Sequence, residues 1–142
     1  MNLKTCCVRW LWLPLCLFAF PLHAAVVVLY HHVSDTTPAS TSISPADFDQ
    51  HLAYLDHEGY RVVPLETLAT LLRDGKPLPA KAVAITFDDS YSSVYPGAFP
   101  KLRARGWPFT FFVNTDVIGT SSLFVSWDQL REMATAGATI AN

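Results

Sequence analysis

Short runs of β-branched and aromatic residues recur along this chain at nearly even intervals, and this regularity restricts the fold more than any other feature. The runs end at Tyr30, Val63, Phe87, Val113 and Ile140, so successive ends are 33, 24, 26 and 27 residues apart. Patterns typical of helices fill the intervals between them. Repeats of strand and helix predict parallel strands joined by right-handed crossovers. The sequence therefore predicts an α/β protein.

Two α/β architectures fit this repeat, an open doubly wound sheet and a part of a (β/α) barrel. The glycine-rich loops that bind nucleotides in many open sheets follow none of the predicted strands. We therefore favour the barrel. Two of the runs, Val26–Tyr30 and Ala82–Phe87, are almost wholly apolar. Such runs predict strands that are buried on both faces.

Signals for helix starts and ends separate these strands. Ser44 is placed as the N-cap of a first helix, and Gly59 as the residue that ends it. Ser126 and Gln129 have the spacing of a capping box at the start of a later helix. The polar stretch 34–42 predicts a loop. The helices and strands therefore alternate through the chain after its apolar N-terminus.

The first 24 residues have the order of a secretory signal peptide. Lys4 and Arg9 supply positive charge, residues 10–20 form an uncharged apolar run, and Ala24 offers a small residue for cleavage. A retained membrane anchor is the alternative, but prolines interrupt the stretch, and a span needs about 20 apolar helical residues. We expect cleavage after Ala24 and export to the periplasm or the extracellular space. We expect no stable membrane span after processing.

Cysteine and charge content exclude two classes of protein. All three cysteines, Cys6, Cys7 and Cys16, lie in this leader, so the processed chain would have no disulfide framework and no zinc bound by cysteine. The whole chain has 10 Lys+Arg against 12 Asp+Glu, a formal net charge of −2. This balance provides no basic surface for nucleic acid, which we do not expect as a partner.

Polar residues follow the predicted strands at their carboxyl ends, where the active sites of both architectures lie. His31 and His32 follow the first strand, and Asp88 and Asp89 follow the third. Two carboxylates suit metal-assisted hydrolysis, in which one binds the ion and the other takes a proton from water; helix capping is the alternative. Adjacent strand residues point to opposite faces, so we expect at most one histidine to act in the site. The other polar residues at predicted strand ends are Asn114, Asp116 and Asn142.

Several motifs of the processed chain occur together in one family of enzymes. The most specific is Thr86–Asp89 (TFDD), which is followed by Tyr91 and by the strand Thr110–Val113 (TFFV). Residues 30–33 (YHHV) and 59–64 (GYRVVP) accompany them. Together they resemble the polysaccharide deacetylase family, also called the NodB homology domain or carbohydrate esterase family 4. The chain is most similar to the subgroup that includes secreted poly-N-acetylglucosamine deacetylases.

The resemblance implies a fold, a reaction and a set of site residues. Residues 25–142 would form the N-terminal part of a distorted (β/α) barrel with parallel strands. The family removes acetyl groups from acetylated polysaccharides, here most simply by N-deacetylation of amino sugars, with a divalent metal that is commonly zinc. Matching the motif residue by residue makes Asp88 the general base and Asp89 a metal ligand. His31 matches a histidine that contacts the substrate.

The chain departs from the family pattern at two places. Ser90 stands where the family usually has glycine. The family's two further metal ligands come from an H-[ST]-x-x-H segment that would begin directly after Asn142. We therefore expect the barrel and the metal site to be incomplete in this chain, and the chain to be inactive alone. The alternative is a truncated, non-catalytic product or a pseudoenzyme that binds a glycan or a partner. A phosphoryl-transfer enzyme is less compatible, because the two aspartates after the third predicted strand are adjacent and not spaced as D-x-D, and no phosphate loop follows a predicted strand.

Overall fold

A computed structural model describes residues 24–142, which contain seven strands and five helices. The predicted signal peptide and its cysteines lie outside the described residues, apart from Ala24. The strands are β1 Val26–Tyr30, β2 His32–Val33, β3 Ser42–Ile43, β4 Arg61–Val62, β5 Ala82–Phe87, β6 Thr110–Phe112 and β7 Thr139–Ala141. The helices are α1 Pro45–His57, α2 Leu65–Arg73, α3 Val94–Gly97, α4 Phe99–Arg105 and α5 Trp127–Thr135.

Strand β5 is the centre of the main sheet. Strand β1 pairs with β5 over Val83–Phe87, and β4 and β6 pair with the first and last two residues of β5. Strand β7 pairs with β6, and every pair in this sheet is parallel. The parallel α/β class is therefore confirmed. Within residues 24–142 the sheet is open, with the strand order β1, β5, β6, β7 and with β4 paired to the start of β5.

The core lies between β5 and the helices. All six residues of β5 are buried, as the sequence predicted for a strand covered on both faces. Phe87, the last of them, is fully buried among aromatic rings of β1, α1 and the β6 region. The centroid of its ring lies 5.6–6.3 Å from the centroids of four neighbouring rings, and three of these four pairs are edge-to-face, a preferred geometry for aromatic side chains. The rings around it are Tyr30, Phe48, Phe109 and Phe111.

The prediction that β1 is buried on both faces is wrong. Val26, Val27 and Leu29 expose 47%, 52% and 52% of their surface. In the described residues β1 pairs only with β5, so its other edge is open. Val27 and Leu29 also border an open cleft of about 460 Å³ on the face away from α1. The apolar sequence of β1 thus reports its strand conformation but not its burial.

Helix ends follow the predicted signals. The Ser44 hydroxyl accepts a hydrogen bond from the backbone N–H of Asp47 at the start of α1. The Ser126 hydroxyl and the Gln129 side chain form both hydrogen bonds of the capping box at α5. The stretch 34–42 is mainly loop, as predicted, but Ser42 begins the short strand β3, which pairs with β2.

One glycine permits a close approach near the site. A Cβ placed on Gly97 would lie 2.6 Å from the carbonyl oxygen of Val33 and 2.9 Å from its Cβ. Separations this short are not tolerated between real side chains and backbone, so glycine lets α3 pack directly on β2. This packing holds β2, which begins at His32, against the segment that follows the two aspartates.

None of the helices described between residues 24 and 142 is both long enough and apolar enough to cross a membrane.

Candidate active site

The carboxyl ends of three neighbouring strands meet at one edge of the sheet. Tyr30 at the end of β1 and Phe111 in β6 both pair with Phe87 at the end of β5. The backbone N–H of Asp88 donates a hydrogen bond of 3.0 Å to the carbonyl oxygen of Tyr30, so the ladder extends one residue into the loop. The residues directly after these strands therefore lie side by side, as expected for parallel strands.

Asp89 and His31 face each other across this edge. His31 Nε2 lies 3.7 Å from Asp89 Oδ2, and their side chains are 32% and 55% exposed. Both donor atoms are therefore accessible from solvent. Carboxylate oxygens and imidazole nitrogens are both common ligands of zinc in proteins.

Asp88 has a different environment from its neighbour. It is half-buried, and it lines the open cleft on the face where Val27, Leu29 and Phe112 lie. The hydrogen bond of its N–H to Tyr30 fixes the backbone from which the side chain extends. The two aspartates thus point into different surroundings, which suits a division of roles between them.

The described residues do not form a complete metal-binding group. Residues 24–142 contain no group of three or more His, Cys, Asp or Glu side chains that could hold a metal ion. A catalytic zinc site typically uses three protein ligands and keeps a further position for water or substrate. Asp89 and His31 therefore offer two donor atoms of the kinds that zinc accepts, one fewer than such a site typically uses.

His32 does not join this pair. It is only 4% exposed, and its ring stacks on Tyr91 with centroids 3.7 Å apart. Its Nδ1 is within hydrogen-bonding distance, 3.3 Å, of the Ser93 hydroxyl. Only one of the two adjacent histidines thus reaches the carboxylate edge, in agreement with the sequence expectation. His32 instead attaches β2 to the segment that follows the aspartates.

The burial of His32 predicts a pH-dependent stability. Burial, aided by the charge of His31, lowers the pKa of His32 from its ordinary 6.5, and Asp89 acts in the opposite direction. Below pH 6.5 the unfolded chain then binds the proton more readily than the folded one. The free energy of unfolding should therefore rise as the pH is raised towards 6.5 and level off above it.

Urea unfolding of the metal-free chain between about pH 5 and pH 8 measures this effect. In His32→Gln the rise below pH 6.5 should become shallower, because the group that titrates is gone. His57→Gln is the matched control, since the side chain of His57 is 85% exposed. Equal pH dependence in wild type and His32→Gln would contradict the assignment.

Other polar residues predicted at strand ends take structural positions. The side-chain oxygen of Asn114 accepts a hydrogen bond of 3.1 Å from the backbone N–H of Asp116, so these two residues shape their own loop. Asn142 is exposed after β7. Sequence reasoning assigned no role to Tyr91 or Ser93, which hold His32. The run of hydroxyl-bearing residues directly after the two aspartates was the signal that could have identified them.

Comparisons with known proteins indicate the same family as the sequence motifs. Residues 75–142 match the family model described as polysaccharide deacetylase. The chain is 32% identical over 131 residues to the poly-beta-1,6-N-acetyl-D-glucosamine N-deacetylase of Escherichia coli (strain K12), covering 81% of this chain and 20% of that protein.

Two solved structures are similar in fold and sequence. The structure of IcaB from Ammonifex degensii matches with a TM-score of 0.74 and 36% identity, over 83% of this chain and 52% of that one. A de-N-acetylase from Aggregatibacter actinomycetemcomitans matches with a TM-score of 0.72 and 28% identity, over 82% and 53%. The chain therefore spans about half the length of these structures and a smaller part of the Escherichia coli relative.

Proposed function

The chain belongs to the polysaccharide deacetylase family, and we propose that it carries the aspartate half of an active site that removes N-acetyl groups from a polysaccharide of acetylated amino sugars. The observation that carries the proposal is the edge of the sheet after β5. There Asp88 and Asp89 follow a fully buried strand, and Asp89 faces His31 at 3.7 Å. We propose residues 25–142 as part of the catalytic domain and poly-N-acetylglucosamine as the substrate class.

The reaction is hydrolysis of an amide. The oxygen of water adds to the acetyl carbonyl carbon, the carbon–nitrogen bond breaks, and the nitrogen takes a proton to leave as the free amine, with acetate as the other product. We assign Asp88 the role of the base that takes the proton from the attacking water. The support is its half-buried side chain, which lines the open cleft beside Val27 and Leu29.

Asp89 is proposed as a ligand of a divalent metal, with zinc as the first candidate. His31 lies close enough to serve as a second donor or to contact the substrate. A divalent metal in such a site lowers the pKa of water and polarises a carbonyl group. Because residues 24–142 supply two donors at most, we propose that the remaining ligands come from elsewhere in the full active site.

We place this activity outside the cytoplasm, in the periplasm or the extracellular space. The support is the order of charge, apolar run and small residue over residues 1–24. A polysaccharide substrate at the cell surface is consistent with that location.

Acetate release tests the proposed function. The measurement compares the 142-residue chain with an extended chain in which the part of Ammonifex degensii IcaB beyond the match is joined after Asn142. On poly-N-acetylglucosamine the extended chain should release acetate, lose this activity with a chelator and regain it with Zn²⁺. The chain alone should release little, because its two donors retain metal weakly.

The control is the same extended chain with Asp116→Asn, which alters an exposed carboxylate in the loop after β6. It should retain activity. Acetate release that is unaffected by the chelator would contradict the metal dependence, and strong release by the 142-residue chain alone would show that two donors suffice.

A further inference from the structure

Ser90 occupies an unusual position directly after the two aspartates. Ser90 is fully buried. Asp89 and Ser90 have φ angles of 68° and 61°, so two consecutive residues with side chains adopt the left-handed conformation. This conformation is uncommon for residues other than glycine. Strained backbone of this kind persists only where the surrounding structure holds it in place.

Three hydrogen bonds hold Ser90 in place. Its hydroxyl oxygen accepts from the backbone N–H of Asn114 at 2.7 Å and is placed to donate to the Asn114 carbonyl oxygen at 3.3 Å. The Ser90 carbonyl oxygen accepts from the backbone N–H of Val125 at 2.9 Å. A serine hydroxyl can donate one bond and accept others at once, so both contacts to Asn114 are compatible.

These bonds connect the turn after β5 to the loop after β6. Asn114 is the second residue after the end of β6 at Phe112, and Val125 lies at the far end of the same loop, before α5. The neighbouring residue Ser92 also contacts this loop, through Ser122. The Asp89–Ser90 turn is therefore attached to a second strand end and is not an independent loop.

The position of the Asp89 side chain depends on this backbone. Its carboxylate is 55% exposed, and the 3.7 Å separation from His31 is longer than a hydrogen bond. A partly exposed carboxylate with such a contact is placed mainly by the turn from which it extends. The residue that fixes the turn is Ser90, at the position where the family pattern has glycine.

We propose that Ser90 is a positioning residue, whose hydroxyl holds the left-handed turn so that the Asp89 carboxylate stays opposite His31. This inference rests on the proposed function of Asp89 as a metal ligand. A serine in place of glycine restricts the turn and adds bonds to Asn114 that glycine cannot make. Groups that orient a ligand in this way typically alter metal affinity by about 10- to 100-fold when they are removed.

The test uses the 142-residue chain, with Ser90→Ala and Ser90→Gly as variants. Ser90→Ala removes the hydroxyl, and Ser90→Gly removes it while allowing the left-handed conformation without strain. Ser92→Ala is the matched control, because it removes another hydroxyl that bonds to the same loop. Each protein is examined by NMR without metal and during titration with Zn²⁺.

Both Ser90 variants should weaken Zn²⁺ binding, followed through the His31 and Asp89 resonances, by about tenfold or more. They should also lose the metal-free nuclear Overhauser contact between the His31 ring and the Asp89 β-protons. Exchange of the Asn114 amide hydrogen should accelerate by at least about tenfold, since this N–H loses its hydrogen-bond partner. Ser92→Ala should leave all three measurements close to wild type.

An unchanged His31–Asp89 contact in Ser90→Ala would overturn the inference. A contact that is lost in Ser90→Ala but kept in Ser90→Gly would also overturn it, because backbone strain in the alanine variant would then explain the loss. Equal losses in Ser92→Ala would overturn it as well. A wild-type chain whose His31 and Asp89 resonances ignore Zn²⁺ would instead contradict the proposed metal role. In that case the nuclear Overhauser contact measured without metal still tests whether Ser90 positions Asp89.

Discussion

Replacing Asp88 with asparagine in the extended chain is expected to lower acetate release by about 10²–10⁴-fold, the usual effect of removing a general base. Asparagine keeps the size of the side chain but cannot accept the proton of the attacking water. The backbone hydrogen bond from residue 88 to Tyr30 does not involve the side chain, so the turn should be retained. Initial rates on poly-N-acetylglucosamine at saturating Zn²⁺ provide the measurement.

Asp89→Asn is the informative comparison, because it changes the adjacent carboxylate. This variant should lose both metal and activity, whereas Asp88→Asn should retain metal, as measured by zinc content after dialysis. The two aspartates have different surroundings in the structure, one beside the open cleft and the other facing His31. Loss of zinc in Asp88→Asn, with zinc kept in Asp89→Asn, would reverse the assigned roles.

Phe87→Ala is expected to have the largest effect on stability, lowering the free energy of unfolding by about 3–5 kcal/mol. The Phe87 side chain is fully buried. Its ring centroid lies 5.6 Å from those of Tyr30 and Phe109 and 6.1 Å from that of Phe48. Truncation would remove these contacts and leave a cavity that the surrounding strands and helix fill only in part. Urea unfolding of the 142-residue chain measures the change.

Leu29→Ala is the matched control on the neighbouring strand. Leu29 is 52% exposed, so its truncation removes little buried surface and creates no enclosed cavity. Its effect should be well below that of Phe87→Ala. Equal losses for the two variants would contradict the described packing. A soluble-fraction assay at low temperature complements the measurement if Phe87→Ala unfolds before urea is added.

Phe87 also connects the core to the candidate site. It is the last residue of β5, and Asp88 follows it directly. Packing of the Phe87 ring therefore holds the strand end from which both aspartates extend. A smaller residue at this position is expected to disturb the site as well as the core, since the orientation of the turn depends on the strand before it.

Local features were predictable because they depend on residues close together in the chain. The hydrophobicity of Ala82–Phe87 predicted a buried strand, and all six residues are buried. Ser44 and Ser126 were predicted as helix caps, and both make the expected hydrogen bonds. The placement of Asp88 and Asp89 at the carboxyl edge followed from the parallel strand pattern, since this edge collects the residues after each strand.

Tertiary structure alone decided which side chains meet. The exposure of β1 depends on whether another strand or helix covers it, which its own sequence does not encode. His31 and His32 are adjacent, yet one faces Asp89 and the other stacks on Tyr91, because β2 packs against a segment far along the chain. Ser90 bonds to Asn114 across 24 residues. The sequence by itself determined the five strands of the main sheet, the caps and the aspartate pair through local chemistry. Contacts between distant residues, including the pairing of the short strands β2 and β3, arise only when the chain folds.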